Sequence, residues 1–129
     1  MLLAELRESD IGILGAGREG VATWRWLRGH FPQKRLTVYD ENVEQIATGP
    51  FSEDPFTNLL RGPFRAESLA VHNLLIRSPG ISPYREELRL LKNSACRITT
   101  PSSLWFAQNN DQKTICITGT KGKSTTAAL

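Results

Sequence analysis

Residues 10–20 read DIGILGAGREG, and this stretch predicts how the chain begins to fold. The run IGIL at 11–14 is short and apolar, as a buried strand is, and residues 19–30 repeat apolar side chains at helical spacing. Between them, Gly15, Gly17 and Gly20 have the spacing G-x-G-x-x-G. In a strand–turn–helix unit, the first glycine permits the tight turn, the second admits a phosphate to the backbone, and the third allows close packing. The stretch therefore predicts a phosphate-binding turn after the first β-strand.

Further short apolar runs follow at 36–39, 73–76, 96–99 and 114–118, and helix-like segments separate most of them. Alternating strands and helices predict an α/β fold, a Rossmann-like parallel sheet with helices on both faces. The pattern is weakest at 50–64, where the sequence PFSEDPFTNLLRGPF contains three prolines. There we predict only a short helix near 54–61 and a weak strand near 63–65.

Two other segments are predicted to share an edge of the sheet with the glycine-rich turn. Asp40 ends the second apolar run 20 residues after Gly20, where a dinucleotide-binding domain places the acid that binds a ribose hydroxyl. Such an acid could equally cap a helix over 41–47. The sequence RSPGIS at 77–82 follows the run at 73–76, so its turn should also lie at the carboxyl ends of the strands. A nicotinamide dinucleotide or a uridine diphosphate would suit these residues equally well.

A second phosphate loop is predicted at the end of the chain, in ICITGTKGKSTT at 115–126. Its backbone amides would cradle phosphates, Lys123 would neutralise the β and γ groups, and the Ser124 hydroxyl would face Mg²⁺. The usual G-x-x-x-x-G-K-[ST] loop has a glycine where this chain has Ile117. The loop is therefore a shorter G-x-x-G-K-S form, beginning at Gly119.

This shorter loop, ITGTKGKST, resembles the ATP loop of the Mur ligase family, in which Asn is common at the position of Lys121. GILGAGREG, VYD and RSPGIS occur in the same order and spacing as in that family, so the resemblance covers essentially all 129 residues. It implies a Rossmann-like UDP-sugar-binding domain over 1–107, a linker over 108–113, and the first strand and P-loop of a truncated ATP-binding domain over 114–129. Residues 123–129 are expected to fray unless they dock on another surface.

The resemblance also implies a function. Mur ligases of this kind add glutamate to UDP-N-acetylmuramoyl-L-alanine in peptidoglycan synthesis, with ATP and Mg²⁺, through an acyl phosphate. By position, it assigns the UDP-sugar to Gly15, Ala16, Gly17, Arg18, Gly20, Asp40, Glu41, Ser78, Pro79 and Gly80. It assigns ATP to Gly119, Thr120, Lys121, Gly122, Lys123, Ser124 and Thr125, with Ser124 also facing Mg²⁺ in the full-length enzyme.

The family's catalytic groups in the later domains have no counterpart here, so we expect a truncated chain that is inactive alone. The choice between D- and L-glutamate stays open. TTPSSLW at 99–105 stands where enzymes that add D-glutamate usually have Gly-[Asp or Glu]-x-Glu-Leu, which favours an L-glutamate enzyme. The alternative function is an NAD(P)-binding module of an oxidoreductase or redox sensor, which leaves the second loop unexplained. A third hypothesis, a small P-loop NTPase, is disfavoured because no strand that carries a Mg²⁺-binding acid follows residue 124.

Composition argues against two further classes of protein, those that bind nucleic acid and those that span a membrane. A net charge of +3 from scattered residues argues against nucleic acid, and no apolar run approaches the roughly 20 residues of a membrane span. Cys96 and Cys116 are predicted to be buried, reduced thiols. We therefore expect a cytoplasmic monomer. Trp24 is predicted to lie in the core, and neither His30 nor His72 has a sequence neighbour that suggests acid–base catalysis.

Overall fold

The fold is that of a computed structural model, which describes residues 2–42, 44, 46 and 49–116. Its centre is a five-stranded sheet in the order β3-β2-β1-β4-β5, and every pair of neighbouring strands is parallel. The strands are β1 (Ile11–Leu14), β2 (Leu36–Asp40), β3 (Thr57–Arg61), β4 (Leu74–Arg77) and β5 (Arg97–Thr99). The predicted α/β fold with a parallel sheet is confirmed.

Helices cover both faces of the sheet. Among the described residues they include α1 (Leu3–Glu8), α2 (Arg18–His30), α3 (Ala66–Leu69), α4 (Glu86–Arg89) and α5 (Pro101–Gln108), with a 3-10 helix at Pro50–Glu53. The first core layer joins alternate side chains of β1, β2 and β4 to Leu6 of α1, Leu27 of α2 and Leu104 of α5. The second layer, on the opposite face, includes Leu69 of α3 and Leu88 of α4. Successive side chains along each strand point to opposite faces of the sheet, and they therefore form two separate apolar layers.

The sheet reverses its order at β1. Its neighbour on one side is β2, which follows it in the chain, and on the other side is β4. In open parallel sheets, a crevice forms outside the carboxyl ends of the strands at such a reversal. The crevice of this domain therefore lies where β1 and β4 end, with the end of β2 beside it.

Helix α2 is fixed to the sheet by two side chains on its inner side. Trp24 packs against the first core layer, meets the Phe51 ring edge to face at 5.5 Å, and donates from Nε1 to Thr57 Oγ1 at 2.9 Å. The Arg28 guanidinium pairs with Asp54 at 2.7 Å and donates to the carbonyl oxygens of Phe31, Pro32 and Lys34. Trp24 is thus partly buried against the core, in line with its predicted place on the apolar stripe, whereas the role of Arg28 was not predicted.

The prediction for 54–61 is wrong, because Thr57–Arg61 is the edge strand β3 and not a helix. The weak strand expected near 63–65 is also wrong, since it falls after β3 in a bend and loop that lead to α3. Residues 57–61 pair with β2 in the register Leu36↔Thr57 to Asp40↔Arg61. That pairing supplies hydrogen bonds that no local pattern in a proline-rich stretch shows, so tertiary context overrides local propensity.

Helix α4 is shorter than the helical spacing of its apolar residues at 84, 88 and 91 suggests: it spans Glu86–Arg89, and Tyr84 before it is 83% exposed. Helix α5 begins after Thr100, whose Oγ1 accepts from Ser103 N at 3.2 Å, and has proline in its first turn. Burial of both thiols is wrong, because Cys116 is exposed and Cys96 is only half-buried.

Residues 113–116 carry no regular secondary structure, and the rest of the strand predicted at 114–118 lies outside the described residues. The second phosphate loop lies outside them as well. Across the described ranges, no helix is long and apolar enough to pass through a bilayer.

Candidate functional site

The glycine-rich turn follows β1 and is held from both sides. Gly15 has φ +102°, a conformation that side chains other than glycine rarely adopt. A Cβ there would also lie 2.6 Å from Ser78 Oγ. Gly15 N donates to Tyr39 O of β2 at 2.7 Å, and Ser78 N donates to Leu14 O at 3.0 Å. The turn therefore requires glycine at 15 for its backbone conformation and for the close approach of the segment that follows β4.

Helix α2 begins directly after the turn, and its amino end has no side-chain cap. Gly17 is the N-cap residue, with φ −78° and ψ −160°, and Val21 N donates to Gly17 O at 2.9 Å. The N–H groups of the first helical turn have no partner in their own helix, and the helix dipole adds partial positive charge there. Gly20 allows this close packing, because a Cβ on it would lie 1.8 Å from Gly15 O. The arrangement presents backbone amides to an anion.

Asp40 joins the end of β2 to the glycine-rich turn. Its Oδ2 accepts the N–H of Ala16 at 2.6 Å, and its Oδ1 accepts the N–H of Asn42 at 2.6 Å. The cap over the following residues comes instead from Asn42, whose Oδ1 accepts from Glu44 N at 3.0 Å. The Ala16 amide, predicted to contact a ligand, is thus bonded to Asp40 in this structure.

The turn at 78–80 lies against Gly15 and is closed by backbone bonds. Ile81 N donates to Ser78 O at 3.0 Å, and Arg77 donates from Nη1 to Ser78 O at 3.3 Å and also to Ile81 O. A Cβ on Gly80 would meet nothing within 4 Å, so this glycine is open to solvent on that side. The structure therefore brings the segments 15–20, 40–41 and 78–80 to one edge of the sheet. We call the space that they border the crevice.

Glu41 is not a free carboxylate beside the crevice. It receives two hydrogen bonds from the Arg85 guanidinium, from Nη1 to Oε1 at 2.7 Å and from Nη2 to Oε2 at 3.1 Å. These hydrogen bonds hold the pKa of Glu41 below its usual value, although its partial burial acts in the opposite sense. The sequence did not indicate Arg85, because 44 residues separate the two partners.

A second cluster that the sequence did not reveal lies at the opposite, amino edge of the sheet. His72 is 5% exposed, with Nδ1 2.7 Å from Asp10 Oδ1 and Nε2 2.6 Å from the Tyr39 hydroxyl. That hydroxyl also donates to Ser68 O at 3.2 Å, and burial raises the pKa of Tyr39 to about 12. The cluster lies along an open cleft of about 780 Å³, away from the crevice. Its partners stabilise the start of β1 and β4.

Metal and ATP sites were predicted only near the end of the chain. The residues assigned to them, from Gly119 to Thr125, fall outside the described residues. Within 2–42, 44, 46 and 49–116, no three His, Cys, Asp or Glu side chains are grouped so that they could hold a metal ion.

The fold and the crevice define a Rossmann-like domain with a glycine-rich turn between β1 and α2. A scan against protein-family models finds no match. Curated relatives nevertheless align with the whole chain: a UDP-N-acetylmuramoyl-L-alanine--L-glutamate ligase of Xanthomonas campestris pv. campestris (strain 8004) is 38% identical over 134 residues. Enzymes with the same name from Xylella fastidiosa (strain 9a5c) and a Micromonospora species (strain ATCC 39149) are 32% and 33% identical.

Each alignment includes 100% of this chain and 28% of the relative, so the chain spans little more than a quarter of the length of these enzymes. The resemblance to the Mur ligase family is therefore confirmed over the whole chain. More specifically, the chain is homologous to part of the family members named as L-glutamate ligases.

Proposed function

We propose that this chain binds the UDP part of UDP-N-acetylmuramoyl-L-alanine and is the substrate-binding portion of a glutamate-adding ligase of peptidoglycan synthesis. The observation that carries the proposal is the uncapped start of α2 after a glycine turn at the reversal point of a parallel sheet. The names of the relatives supply the identity of the nucleotide sugar.

The backbone amides at the start of α2 are assigned to the diphosphate. Residues 17–20 supply these groups, and Arg18 adds a positive charge at the first helical position. Ala16 is the weaker donor, because its N–H is already bonded to Asp40. Asp40 and Glu41 then border the nucleoside side, and the turn at 78–80 borders the same substrate.

In the full-length enzyme, the proposed reaction joins the substrate carboxylate to the amine of glutamate through an acyl phosphate. ATP with Mg²⁺ supplies the phosphoryl group, and the residues proposed to hold them run from Gly119 to Thr125. The part of the chain described here binds and orients the UDP-sugar but has no group that takes part in phosphoryl transfer. L-glutamate is the proposed amino acid, because the three relatives carry that name.

A thermal-shift titration of the 129-residue chain tests the proposal directly. A ligand at 100 times its dissociation constant adds about 2.7 kcal/mol to the free energy of unfolding. We expect UDP-N-acetylmuramoyl-L-alanine to raise the melting temperature more than NAD does, and ATP to have little effect. A larger shift with NAD would contradict the proposal and favour the oxidoreductase alternative.

Gly17→Asp provides a matched variant, because an N-cap aspartate bonds to the same amides that the diphosphate needs. Aspartate is a slightly better cap than glycine, so the free energy of unfolding should be unchanged or higher by about a few tenths of a kcal/mol. The melting temperature should therefore not fall. Binding of the UDP-sugar should nevertheless be lost, because a fixed carboxylate repels the diphosphate. Gly17→Asn is the neutral control and should retain more affinity. Unchanged binding by Gly17→Asp would refute the assignment of the helix start.

A further inference from the structure

Arg85 makes the densest set of charged contacts near the crevice. It gives two hydrogen bonds to Glu41 and two to Glu87, from Nε to Oε2 and from Nη2 to Oε1, the latter two both at 3.2 Å. Its guanidinium carbon lies 4.8 Å from the centre of the Phe64 ring, within cation–π range. Four separate parts of the chain thus meet at one side chain: the end of β2, the loop after β3, the segment after β4 and the first turn of α4.

The ion pair between Arg85 and Glu41 joins two segments that border the crevice. Glu41 follows β2 directly, whereas Arg85 lies in the segment after β4, and β1 is the strand between β2 and β4. The ion pair therefore links the two segments that flank the glycine-rich turn. The segment that it holds, 78–85, begins with the turn that contacts Gly15.

The pair with Arg85 also neutralises a negative charge beside the proposed diphosphate site. Asp40 and Glu41 are adjacent carboxylates at the end of β2, and the diphosphate proposed to bind nearby is also anionic. Hydrogen bonds from Arg85 hold the pKa values of Glu41 and Glu87 below their usual range, so both carboxylates are ionised at neutral pH. Without Arg85, Glu41 would present an unpaired negative charge to an incoming diphosphate.

We propose that Arg85 is a positioning residue for the crevice: its pair with Glu41 holds the 78–85 segment against the end of β2 and removes a negative charge beside the nucleotide. This inference rests on the proposed function for the identity of the ligand. An isolated surface ion pair contributes little to stability. Here the planar guanidinium serves two carboxylates through paired hydrogen bonds and stacks on a ring, a geometry that lysine cannot reproduce.

The test measures binding of UDP-N-acetylmuramoyl-L-alanine by calorimetry at low and high salt. Arg85→Met should bind about tenfold more weakly at low salt, because Glu41 then presents an unpaired negative charge to the diphosphate. The difference should shrink at high salt, because exposed charges are screened. Glu87→Gln is the matched control: it removes a partner of Arg85 but keeps the bond to Glu41, so its affinity should stay within about twofold.

The double variant Arg85→Met with Glu41→Gln removes the charge that Arg85→Met leaves unpaired, so it should recover part of the affinity that Arg85→Met loses at low salt. A contribution of Arg85 to folding alone predicts no such recovery and no salt dependence of binding. The proposal is overturned if Arg85→Met binds as the unaltered chain does, or if the double variant binds as weakly as Arg85→Met.

Hydrogen exchange of the ligand-free chain separates this inference from the proposed function. Arg85→Met should speed exchange of the Ile81 and Arg85 amides, which donate to Ser78 O and Ser82 O in the unaltered chain. If the unaltered chain binds no UDP-sugar but this exchange is faster in the variant, the proposed function fails while the link between the segments stands. If exchange is unchanged, the link itself is wrong.

Discussion

Replacing Gly20 by alanine should destabilise the domain strongly, although the residue lies in a helix where alanine is usually favourable. The new Cβ would lie 1.8 Å from Gly15 O and 2.8 Å from the Gly15 carbonyl carbon. Ordinary van der Waals contact begins at 3.4 Å, so helix α2 and the turn must move apart by about 1.6 Å. Both groups are backbone, so no side-chain rotation relieves the overlap.

Overpacking of this kind costs about 1–3 kcal/mol and occasionally more. Because two fixed backbone segments collide, we place Gly20→Ala at the upper end, about 3 kcal/mol of lost stability. In a domain of this size, 1 kcal/mol corresponds to about 3–5 °C in melting temperature. The expected decrease is therefore about 10–15 °C, accompanied by weaker binding of the UDP-sugar because the turn is displaced.

Gly29 of the same helix provides the control. A Cβ there would meet nothing within 4 Å, so Gly29→Ala should raise stability by about 0.5 kcal/mol through helix propensity alone. Urea unfolding of the unaltered chain and the two variants, followed by circular dichroism, gives the three free energies. Equal stability of Gly20→Ala and Gly29→Ala would refute the argument that the turn and helix are in backbone contact at this glycine.

Three further predictions concern groups that the structure ties together. Asp40→Ala removes the acceptor of two backbone N–H groups and should cost about 1.5–3 kcal/mol in urea unfolding, whereas Asp40→Asn, which keeps one acceptor oxygen, should cost less. Arg28→Lys should cost about 1.5–3 kcal/mol in the same assay, because lysine cannot bond Asp54 and three carbonyl groups together; a loss below 0.5 kcal/mol would contradict that role. Tyr39 has a folded-state pKa of about 12, above the usual 10, so its contribution to stability is present below pH 10 and lost as the pH rises through 12. Tyr39→Phe should therefore be about 1 kcal/mol less stable at neutral pH but should lose less stability between pH 10 and 12, and parallel pH curves would show that burial of the hydroxyl is unimportant.

The sequence correctly predicted those parts of the fold in which hydrophobic spacing and turn residues favour the same structure as the tertiary contacts. The strand at 11–14, the turn at 15–20 and helix α2 all follow from residues that are close in sequence. Strand β3 did not, because its hydrogen bonds come from β2 and its own stretch contains prolines and few alternating apolar residues. Long-range pairing therefore decided the one strand whose local pattern was ambiguous.

The same distinction between local signals and long-range contacts holds for the residues of the crevice. The three segments that border the crevice could be predicted, since the carboxyl ends of parallel strands meet at one edge. The bond from Ala16 to Asp40 and the pair between Glu41 and Arg85 could not, because their partners are 24 and 44 residues apart. His72 also gave no signal, since its partners Asp10 and Tyr39 become its neighbours only when the sheet forms.

The two ends of the β1–β4 pair are joined very differently. At the amino end, Asp10 O accepts from Asn73 N and Leu74 N, the Asn73 side chain accepts from Asp10 N at 2.8 Å, and His72 adds a contact to the Asp10 carboxylate. At the other end, Ser78 N donates to Leu14 O at 3.0 Å, and Ser78 lies close against Gly15. The seam between these strands is thus braced at both ends, and most heavily where the strands start. A guest molecule that needs more room must displace the loops beyond the strands, since parting the strands themselves would break bonds at both ends.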